Sequence, residues 1–359
     1  MAESNYASLD EIDDIEDDGS ISPITYDVSS YGSDPEVESL VNRLNRGAIL
    51  IPAFQRNYVW TISDASRFIE SLLLGLPVPG IFLAQDKDNR QLVIDGQQRL
   101  KSLQFFYDGF FNPQEGNKTQ KVFALTRVQE AYEGRTYQDL EERDRIRLDT
   151  SIIHATIVKQ LAPGDDDTSL FHVFERLNSG GSRLSDQEIR VALYHGPFID
   201  FVHGINENPS WRNIYGRESI RLKDQELIIR FLALFDNALP YSKPMKEFIN
   251  KFCGRNQYRE EFLDYEKAFT SSIELFDKAI GKSAFRPEKN FNAAAFDSCM
   301  IGLSTALANG LSPDAEAVAD AYSRLMVNEE YREAISKATS DEKQVLIRAG
   351  IASNFFMDM

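Results

Sequence analysis

Residues 91–100 read Gln-Leu-Val-Ile-Asp-Gly-Gln-Gln-Arg-Leu, a short apolar run that ends in a polar turn and continues as the start of a helix. This order predicts a strand that leads directly into a helix N-terminus. The first amides of a helix have no acceptor within the helix and carry partial positive charge. We therefore expect an anion-binding corner here, with Gly96 allowing an anionic group to approach the backbone closely.

The side chains of this corner suit a nucleotide phosphate. Gln97 and Gln98 can donate amide hydrogens, and Arg99 offers a planar fork that matches phosphate oxygens. Asp95 can hold a cation or orient a water molecule. The same residues also fit an ordinary Asp-Gly turn followed by a solvated helical turn, because strand-turn-helix junctions with a glycine are common.

Two further motifs accompany the corner. Residues 51–60 read Ile-Pro-Ala-Phe-Gln-Arg-Asn-Tyr-Val-Trp, and residues 174–181 read Phe-Glu-Arg-Leu-Asn-Ser-Gly-Gly. In this order and spacing the three motifs resemble the domain-of-unknown-function 262 family (DUF262). These are the N-terminal domains of GmrSD-type modification-dependent restriction proteins, related in fold to ParB and sulfiredoxin. The resemblance covers most of the chain from about Tyr26 onward.

The resemblance implies a nucleoside-triphosphate site, with Mg²⁺ as the expected cofactor, and nucleotide hydrolysis that controls a DNA-cleaving partner in antiviral defence. In that assignment Asp95 and Arg99 are the catalytic residues. The implied nucleotide-binding residues are Gln55, Arg56, Gly96, Gln97, Gln98, Arg99, Arg176 and Asn178.

Alternatives remain open at this point. Arg56 also fits a buried strand in which it pairs with a carboxylate, and Arg176 and Asn178 also fit an ion-paired junction between two helices. The chain can equally be a noncatalytic module that binds nucleotide or DNA and changes shape, or an interaction scaffold. No HNH nuclease pattern is present in the sequence. We therefore do not expect this chain to cleave DNA by itself; either a separate nuclease subunit cleaves, or the chain acts without any nuclease.

Charge limits the binding partners. The formal net charge of the 359 residues is -17 and the sequence pI is about 4.8. Such a chain is repelled by the phosphate backbone, so any DNA contact must be confined to a local basic groove. The sequence has no apolar run of membrane-spanning length, and its start is not that of a secretory signal. We expect a cytoplasmic protein, and an oligomer is compatible with the sequence.

The metal-binding and thiol chemistry of the chain is sparse. Cys253 and Cys299 both fall in apolar helical patterns, which predicts buried, reduced thiols. The four histidines show no spacing typical of a zinc site. The metal ligands, if any, are not identified by the sequence.

The predicted fold class is α+β: a ParB-like N-terminal domain with a small mixed sheet, followed by an all-helical C-terminal domain. The expected boundaries are 1–22 for a disordered acidic arm, 23–196 for the nucleotide-binding domain and 197–359 for the helical domain. The arm carries seven carboxylates between Leu9 and Asp18, and such a block repels itself.

Several elements follow from hydrophobic periodicity. A hairpin of Pro79–Ala84 and Leu92–Ile94 delivers the corner, and Ser63 is the expected N-cap of the helix before it. A strand is predicted over Ile152–Leu161 and helices over Pro35–Asn45 and Thr136–Leu148. The predicted C-terminal helices are Gln225–Phe235, Met245–Phe252, Tyr258–Ala279, Asn292–Ala308, Ala315–Leu325 and about Asp341–Met357.

Overall fold

The structure is a computed structural model that describes residues 27–51, 58–85, 89–113, 120–162, 168–177, 184–236 and 240–359. These residues divide into two compact units. The N-terminal unit takes the described residues of Thr25–Leu184 together with Val191–Leu193. The helical unit takes Ser185–Arg190 and the described residues of Tyr194–Met359.

The N-terminal unit alternates strands and helices along the chain. Its elements are β1 (Asp27–Ser33), α1 (Val37–Asn45), β2 (Ile49–Leu50), α2 (Ile62–Leu74), β3 (Ile81–Gln85), β4 (Gln91–Asp95), α3 (Gln97–Asp108), α4 (Glu142–Asp149), β5 (Ala155–Ala162) and α5 (Thr168–Leu177).

The strands form one mixed sheet with the order β1-β5-β3-β4-β2. The β1–β5 and β3–β4 pairs are antiparallel, whereas β3–β5 and β2–β4 are parallel. The predicted hairpin before the corner is therefore confirmed. In its register Gln85 lies opposite Gln91, and Phe82 lies opposite Asp95 beyond an irregularity at residues 82–83.

Successive residues of a strand point to opposite faces of the sheet. Residues on both faces are buried under helices. On one side Ile81, Leu83 and Val93 join a core with the buried faces of α1, α2 and α3. On the other side α5 packs against β4 and β5. The covering side chains of α5 are the fully buried Phe171 and Phe174.

Helix α2 begins two residues earlier than predicted. Its N-cap is Thr61, whose side chain accepts the Asp64 amide while the Asp64 carboxylate accepts the Thr61 amide. This reciprocal capping box satisfies two amides at once, so Thr61 is a better cap than Ser63, which lies inside the helix. The expectation for Ser63 was wrong. The helix ends at Gly75, whose φ of 71° is left-handed, as its position after Leu74 suggested.

Other predicted boundaries also shift. The helix predicted over Tyr258–Ala279 begins only at Leu263, since residues 257–258 form a turn and residues 259–262 are not helical. The segment 137–140 forms turns, and α4 starts only at Glu142. Strand β5 starts at Ala155 rather than Ile152, because Ile152 makes an isolated bridge with Glu36 at the start of α1. Residues 152–154 therefore lie at the junction between the sheet and α1 and are not part of β5.

The helical unit confirms the predicted all-helical C-terminal part within the described residues. Its helices are α6 (Asp186–Leu193, whose last three residues belong to the N-terminal unit), α7 (Pro197–Asn206), α8 (Pro209–Tyr215), α9 (Lys223–Phe235), α10 (Met245–Asn256), α11 (Leu263–Ala279), α12 (Ala293–Ala308), α13 (Ala315–Met326), α14 (Glu329–Ala334) and α15 (Glu342–Met357). The α+β fold class is thus confirmed.

Helix packing in this unit centres on α12 and α15. A Cβ built on Gly302 would lie 2.8 Å from the Ala352 carbonyl carbon, so glycine lets the two backbones approach closely. The buried Asp297 of α12 accepts the Arg230 Nε at 2.6 Å and lies 3.7 Å from Arg348 Nη2. A single buried carboxylate therefore offsets two buried guanidinium groups.

Both cysteines are free and buried, as predicted. Burial raises the pKa of Cys253 and of Cys299 to about 12. Their thiols are therefore protonated at neutral pH, and the thiolate is the reactive form.

No helix in the described part of the chain is both long and apolar enough to cross a membrane.

Candidate functional site

The polar corner predicted from residues 91–100 forms at the junction of β4 and α3. Strand β4 ends at Asp95, and Gly96 occupies the N-cap of α3 with a φ of 103° and no side-chain cap. The first intrahelical bond runs from the Leu100 amide to the Gly96 carbonyl at 2.9 Å. The amides of residues 97–99 therefore have no acceptor within α3, as is usual for the first amides of a helix.

Gly96 has a packing reason to be glycine. A Cβ added there would meet Ile81 Cγ2 at 2.4 Å and Ile81 Cβ at 2.9 Å. Its left-handed φ also disfavours other residues. The side of Gly96 that lacks a Cβ therefore contacts β3, so close approach by an anion is not needed to explain this glycine.

The two residues predicted to be catalytic bind each other. Arg99 Nη2 donates to Asp95 Oδ2 at 2.7 Å and to the Gly80 carbonyl at 2.9 Å. The Arg99 side chain is 15% exposed, whereas that of Asp95 is 53% exposed. Within the described part of the chain, the buried Arg99 Nε has no hydrogen-bond partner. Arg99 is thus held against the sheet, while the Asp95 carboxylate remains accessible from solvent.

Gln98 has a different role from the one its sequence position suggested. Its Oε1 accepts the amides of Val59 and Trp60 at 3.0 and 3.2 Å. Since an amide oxygen has two lone pairs, these two bonds fill its usual capacity. Gln98 therefore fixes the last two residues of the Ile51–Trp60 motif against the first turn of α3.

A second contact strengthens this attachment. The Tyr58 hydroxyl lies 2.7 Å from the Ser102 hydroxyl in the core, and Ser102 also donates to the Gln98 carbonyl at 2.7 Å. Burial raises the pKa of Tyr58 to about 12, although the bond with Ser102 acts in the opposite direction. We call the contacts of Tyr58, Val59 and Trp60 with α3 the α3 clamp.

The remaining predicted site residues are placed less fully. Gln55, Arg56 and Asn178 lie outside the described residues. Arg176 is exposed near the end of α5, the helix that packs against β4 and β5. The structure thus brings together Asp95 to Arg99, and it places the helix of Arg176 on the strand that ends at Asp95.

Sequence reasoning missed two polar residues at the same end of the sheet. His154 Nδ1 lies 2.7 Å from Asp34 Oδ1, and both side chains are exposed. The His154 carbonyl accepts the Ile81 amide at 2.8 Å, next to the Gly80 carbonyl that binds Arg99. The pair is 120 residues apart in sequence, so only the β1–β5 pairing brings it together.

Sequence reasoning also missed Lys101. It lies one helical turn after Gln97, so the two side chains share a face of α3. Burial lowers the pKa of its ammonium group. The sequence could have indicated Lys101, because a residue four positions after Gln97 lies on the same face of the predicted helix.

Metal ligands do not converge within the described ranges. Among those residues, no group of three His, Cys, Asp or Glu side chains is placed to hold a metal ion. Asp95 is the accessible carboxylate of the corner.

Comparison with known proteins now identifies the N-terminal region. The fold and the site define the class of this region: an α+β domain in which the sequence Asp-Gly-Gln-Gln-Arg joins a strand to a helix. Residues 37–195 match the family described as "GmrSD restriction endonuclease, N-terminal domain". The chain therefore carries a GmrSD-type N-terminal domain, which relates it to restriction and defence proteins.

A relative shares a shorter region. An uncharacterised protein of Methanocaldococcus jannaschii is 35% identical over an alignment of 89 residues, which covers 18% of this chain and 15% of that protein. The chain thus matches only a small part of that relative's length.

Proposed function

We propose that the N-terminal unit binds, and with Mg²⁺ hydrolyses, a nucleoside triphosphate, and that this controls DNA targeting by the chain or by a partner nuclease in anti-phage defence. The observation that carries the proposal is the β4–α3 corner. It joins a helix N-terminus, a cation and an accessible carboxylate within five consecutive residues.

The charges of the corner are arranged for a phosphate chain. The N-terminal amides of the 12-residue α3 provide partial positive charge, and Arg99 adds a full positive charge four residues after Asp95. Lys101 lies on the next turn, where burial lowers the pKa of its ammonium group and a nearby anionic ligand would raise it. These groups can stabilise charge on a transferring phosphoryl group.

Asp95 is suited to the metal or to the water. A carboxylate that is half exposed keeps acceptor positions available for Mg²⁺ or for a nucleophilic water molecule. When bound, the metal would neutralise charge between the phosphates. The Arg99 bond fixes one oxygen of Asp95 and so orients the carboxylate.

The α3 clamp supports roles for Gln55 and Arg56. Tyr58 follows Arg56 by two positions, and Tyr58, Val59 and Trp60 are bonded to the first turns of α3. We propose that Gln55 and Arg56 add contacts to the same phosphates. Arg176 and Asn178 are proposed to contribute from the end of α5, which packs on β4.

One observation favours a second candidate, a noncatalytic nucleotide- or DNA-binding regulator. Asp95 and Arg99 neutralise each other at 2.7 Å, and an arginine held by a carboxylate and a backbone carbonyl is suited to a structural role. In that case nucleotide binding would shift the conformation without phosphate release.

Phosphate release from the four ribonucleoside triphosphates with Mg²⁺, with and without DNA, separates these candidates. Asp95→Asn preserves the size of the side chain and an acceptor for Arg99 but removes the charge. Glu130→Gln, at an exposed carboxylate of the same unit, is the matched control. We expect release by the wild type and by Glu130→Gln, and loss of at least about tenfold in Asp95→Asn.

Binding without release in any of these proteins would favour the noncatalytic regulator. Equal release by wild type and folded Asp95→Asn would contradict the assignment of Asp95.

A further inference from the structure

A cavity of about 420 Å³ opens in the helical unit. It forms where α9 ends, α10 ends and α11 begins. Its lining residues are Phe235, Asp236, Arg255, Asn256, Arg259, Asp264 and Tyr265. Two arginines, two aspartates, an amide and two aromatic rings therefore face one space of a volume typical of small-molecule sites.

The inner part of the cavity is fixed by Tyr265 and Asp236. The buried Tyr265 hydroxyl donates to Asp236 Oδ2 at 2.6 Å. Burial and this bond raise the pKa of the Tyr265 phenol, so the phenol remains a donor at neutral pH. Asp236 is consequently held as an oriented acceptor, and one edge of the Tyr265 ring is anchored.

The cationic side is also preorganised. The Arg259 guanidinium lies 4.5 Å from the centroid of the Tyr265 ring, and its Nε donates to the Glu261 carbonyl at 2.7 Å. Asn256 is only 6% exposed, and its Oδ1 lies 3.4 Å from Arg259 Nη1. Because the stem and the stacking face of Arg259 are held, less side-chain entropy is lost when its fork binds an anion.

We propose that this cavity binds a nucleoside 5′-phosphate. Arg259 and Arg255 provide forked donors for the phosphate, and the partly exposed ring of Phe235 provides apolar surface for the base. The last lining groups match the rest of the ligand: Asp264 can accept ribose hydroxyls, and Asp236 and Asn256 can pair with the base edge.

A free mononucleotide and one nucleotide within a single strand both present a base, a ribose and a phosphate. The mixed charges of the cavity, two cations and two carboxylates, suit one phosphate better than a run of phosphates. The chain's net charge of -17 also opposes a long polyanion. We therefore assign the free mononucleotide.

The test is calorimetric titration of the full chain with AMP, CMP, GMP and UMP, with adenosine and inorganic phosphate as partial ligands and a short single-stranded oligonucleotide as the alternative. Arg259→Ala removes the stacked fork. Arg217→Ala, at an exposed arginine of the same unit, is the matched control. Asp264→Asn is a second variant at an exposed position, so its fold is less at risk.

We expect at least one mononucleotide to bind more tightly than adenosine, phosphate or the oligonucleotide. Arg259→Ala should weaken that binding by about tenfold or more, whereas Arg217→Ala and Asp95→Asn should not change it. The Asp95→Asn result separates this site from the β4–α3 corner, so either proposal can fail alone.

Three results would overturn the assignment. They are no binding of any mononucleotide, tighter binding of the oligonucleotide, and equal affinity in wild type, Arg259→Ala and Asp264→Asn. If Arg259→Ala does not fold, the comparison of wild type with Asp264→Asn decides, with at least a severalfold loss expected.

Discussion

Replacing Gly96 by alanine tests how tightly the corner is built. The left-handed φ of 103° costs an L-residue roughly 1–2 kcal/mol. The added Cβ also meets Ile81 Cγ2 at 2.4 Å, and Ile81 is 1% exposed in the core, so it has little room to move. Such overpacking costs roughly 1–3 kcal/mol, which gives a total of about 2–5 kcal/mol.

Gly109→Ala provides the matched control at the other end of the same helix. Gly109 also has a left-handed φ, of 83°, but a Cβ there would meet nothing within 4 Å. Only the backbone term of roughly 1–2 kcal/mol then applies. The difference between the two variants isolates the contact with Ile81.

Hydrogen exchange of the β4 and α3 peptides measures this difference locally, which avoids treating a two-unit chain as one cooperative transition. We expect lower protection in Gly96→Ala than in Gly109→Ala, and a loss in Gly96→Ala combined with Ile81→Ala that is smaller than the sum of the two single losses. Equal protection in the two single variants would refute the packing argument.

Other predictions concern the α3 clamp and the helical core. Ser102→Ala should destabilise the N-terminal unit by roughly 1–3 kcal/mol in urea unfolding, because the buried Tyr58 hydroxyl loses its partner; no change would contradict the clamp. The pKa of Tyr58 is about 12 in the fold against 10.0 ordinarily, so its contribution to stability is complete below pH 10 and falls as the pH rises toward 12. Tyr58→Phe should reduce that alkaline loss, and an identical pH profile would argue against it. Asp297→Ala removes the buried carboxylate that pairs with Arg230 and lies near Arg348, and it should cost roughly 3–5 kcal/mol in the helical unit; a thermal midpoint like that of wild type would be inconsistent with this cluster. Neither Cys253 nor Cys299 should react with a thiol reagent at neutral pH until the chain unfolds, and rapid native labelling of either would contradict their burial.

The parts of the fold that depend on local chemistry were predictable. The strand, turn and helix of residues 91–100 follow from apolar periodicity and a glycine at the junction, and they appear as β4 and α3. Long apolar repeats gave α9, α12 and α15 to within two residues.

Short helices were missed. The helices α7 and α8 begin at Pro197 and Pro209, and α14 has only six residues. The two shortest, α8 and α14, contain too few periodic positions for a pattern, and their stability comes from tertiary contacts. Trp211 of α8, for example, is fully buried and donates to Asn206 of α7.

Several hydrogen-bond partners of the candidate-site side chains could not be predicted, because they lie far away in the sequence. The position of Gln97, Gln98 and Arg99 on one helical turn suggested three phosphate ligands. In the fold Gln98 instead holds the Val59 and Trp60 amides, and Arg99 holds a backbone carbonyl. Those acceptors and donors come from other elements, so no local pattern encodes them.

The measurement that most directly tests the nucleotide site is equilibrium binding of each ribonucleoside triphosphate to Gln98→Glu. A glutamate there keeps the Oε1 acceptor that the Val59 and Trp60 amides share, and a negative charge at a helix N-terminus favours the fold. The new charge would lie beside the phosphates. We predict an affinity at least about tenfold below wild type, with unchanged stability.

Gln138→Glu, at an exposed glutamine of the same unit, is the control for the added charge and should bind as wild type does. If folded Gln98→Glu binds triphosphate as tightly as wild type and Gln138→Glu, or if none of the three proteins binds any triphosphate, the β4–α3 corner is not a phosphate site.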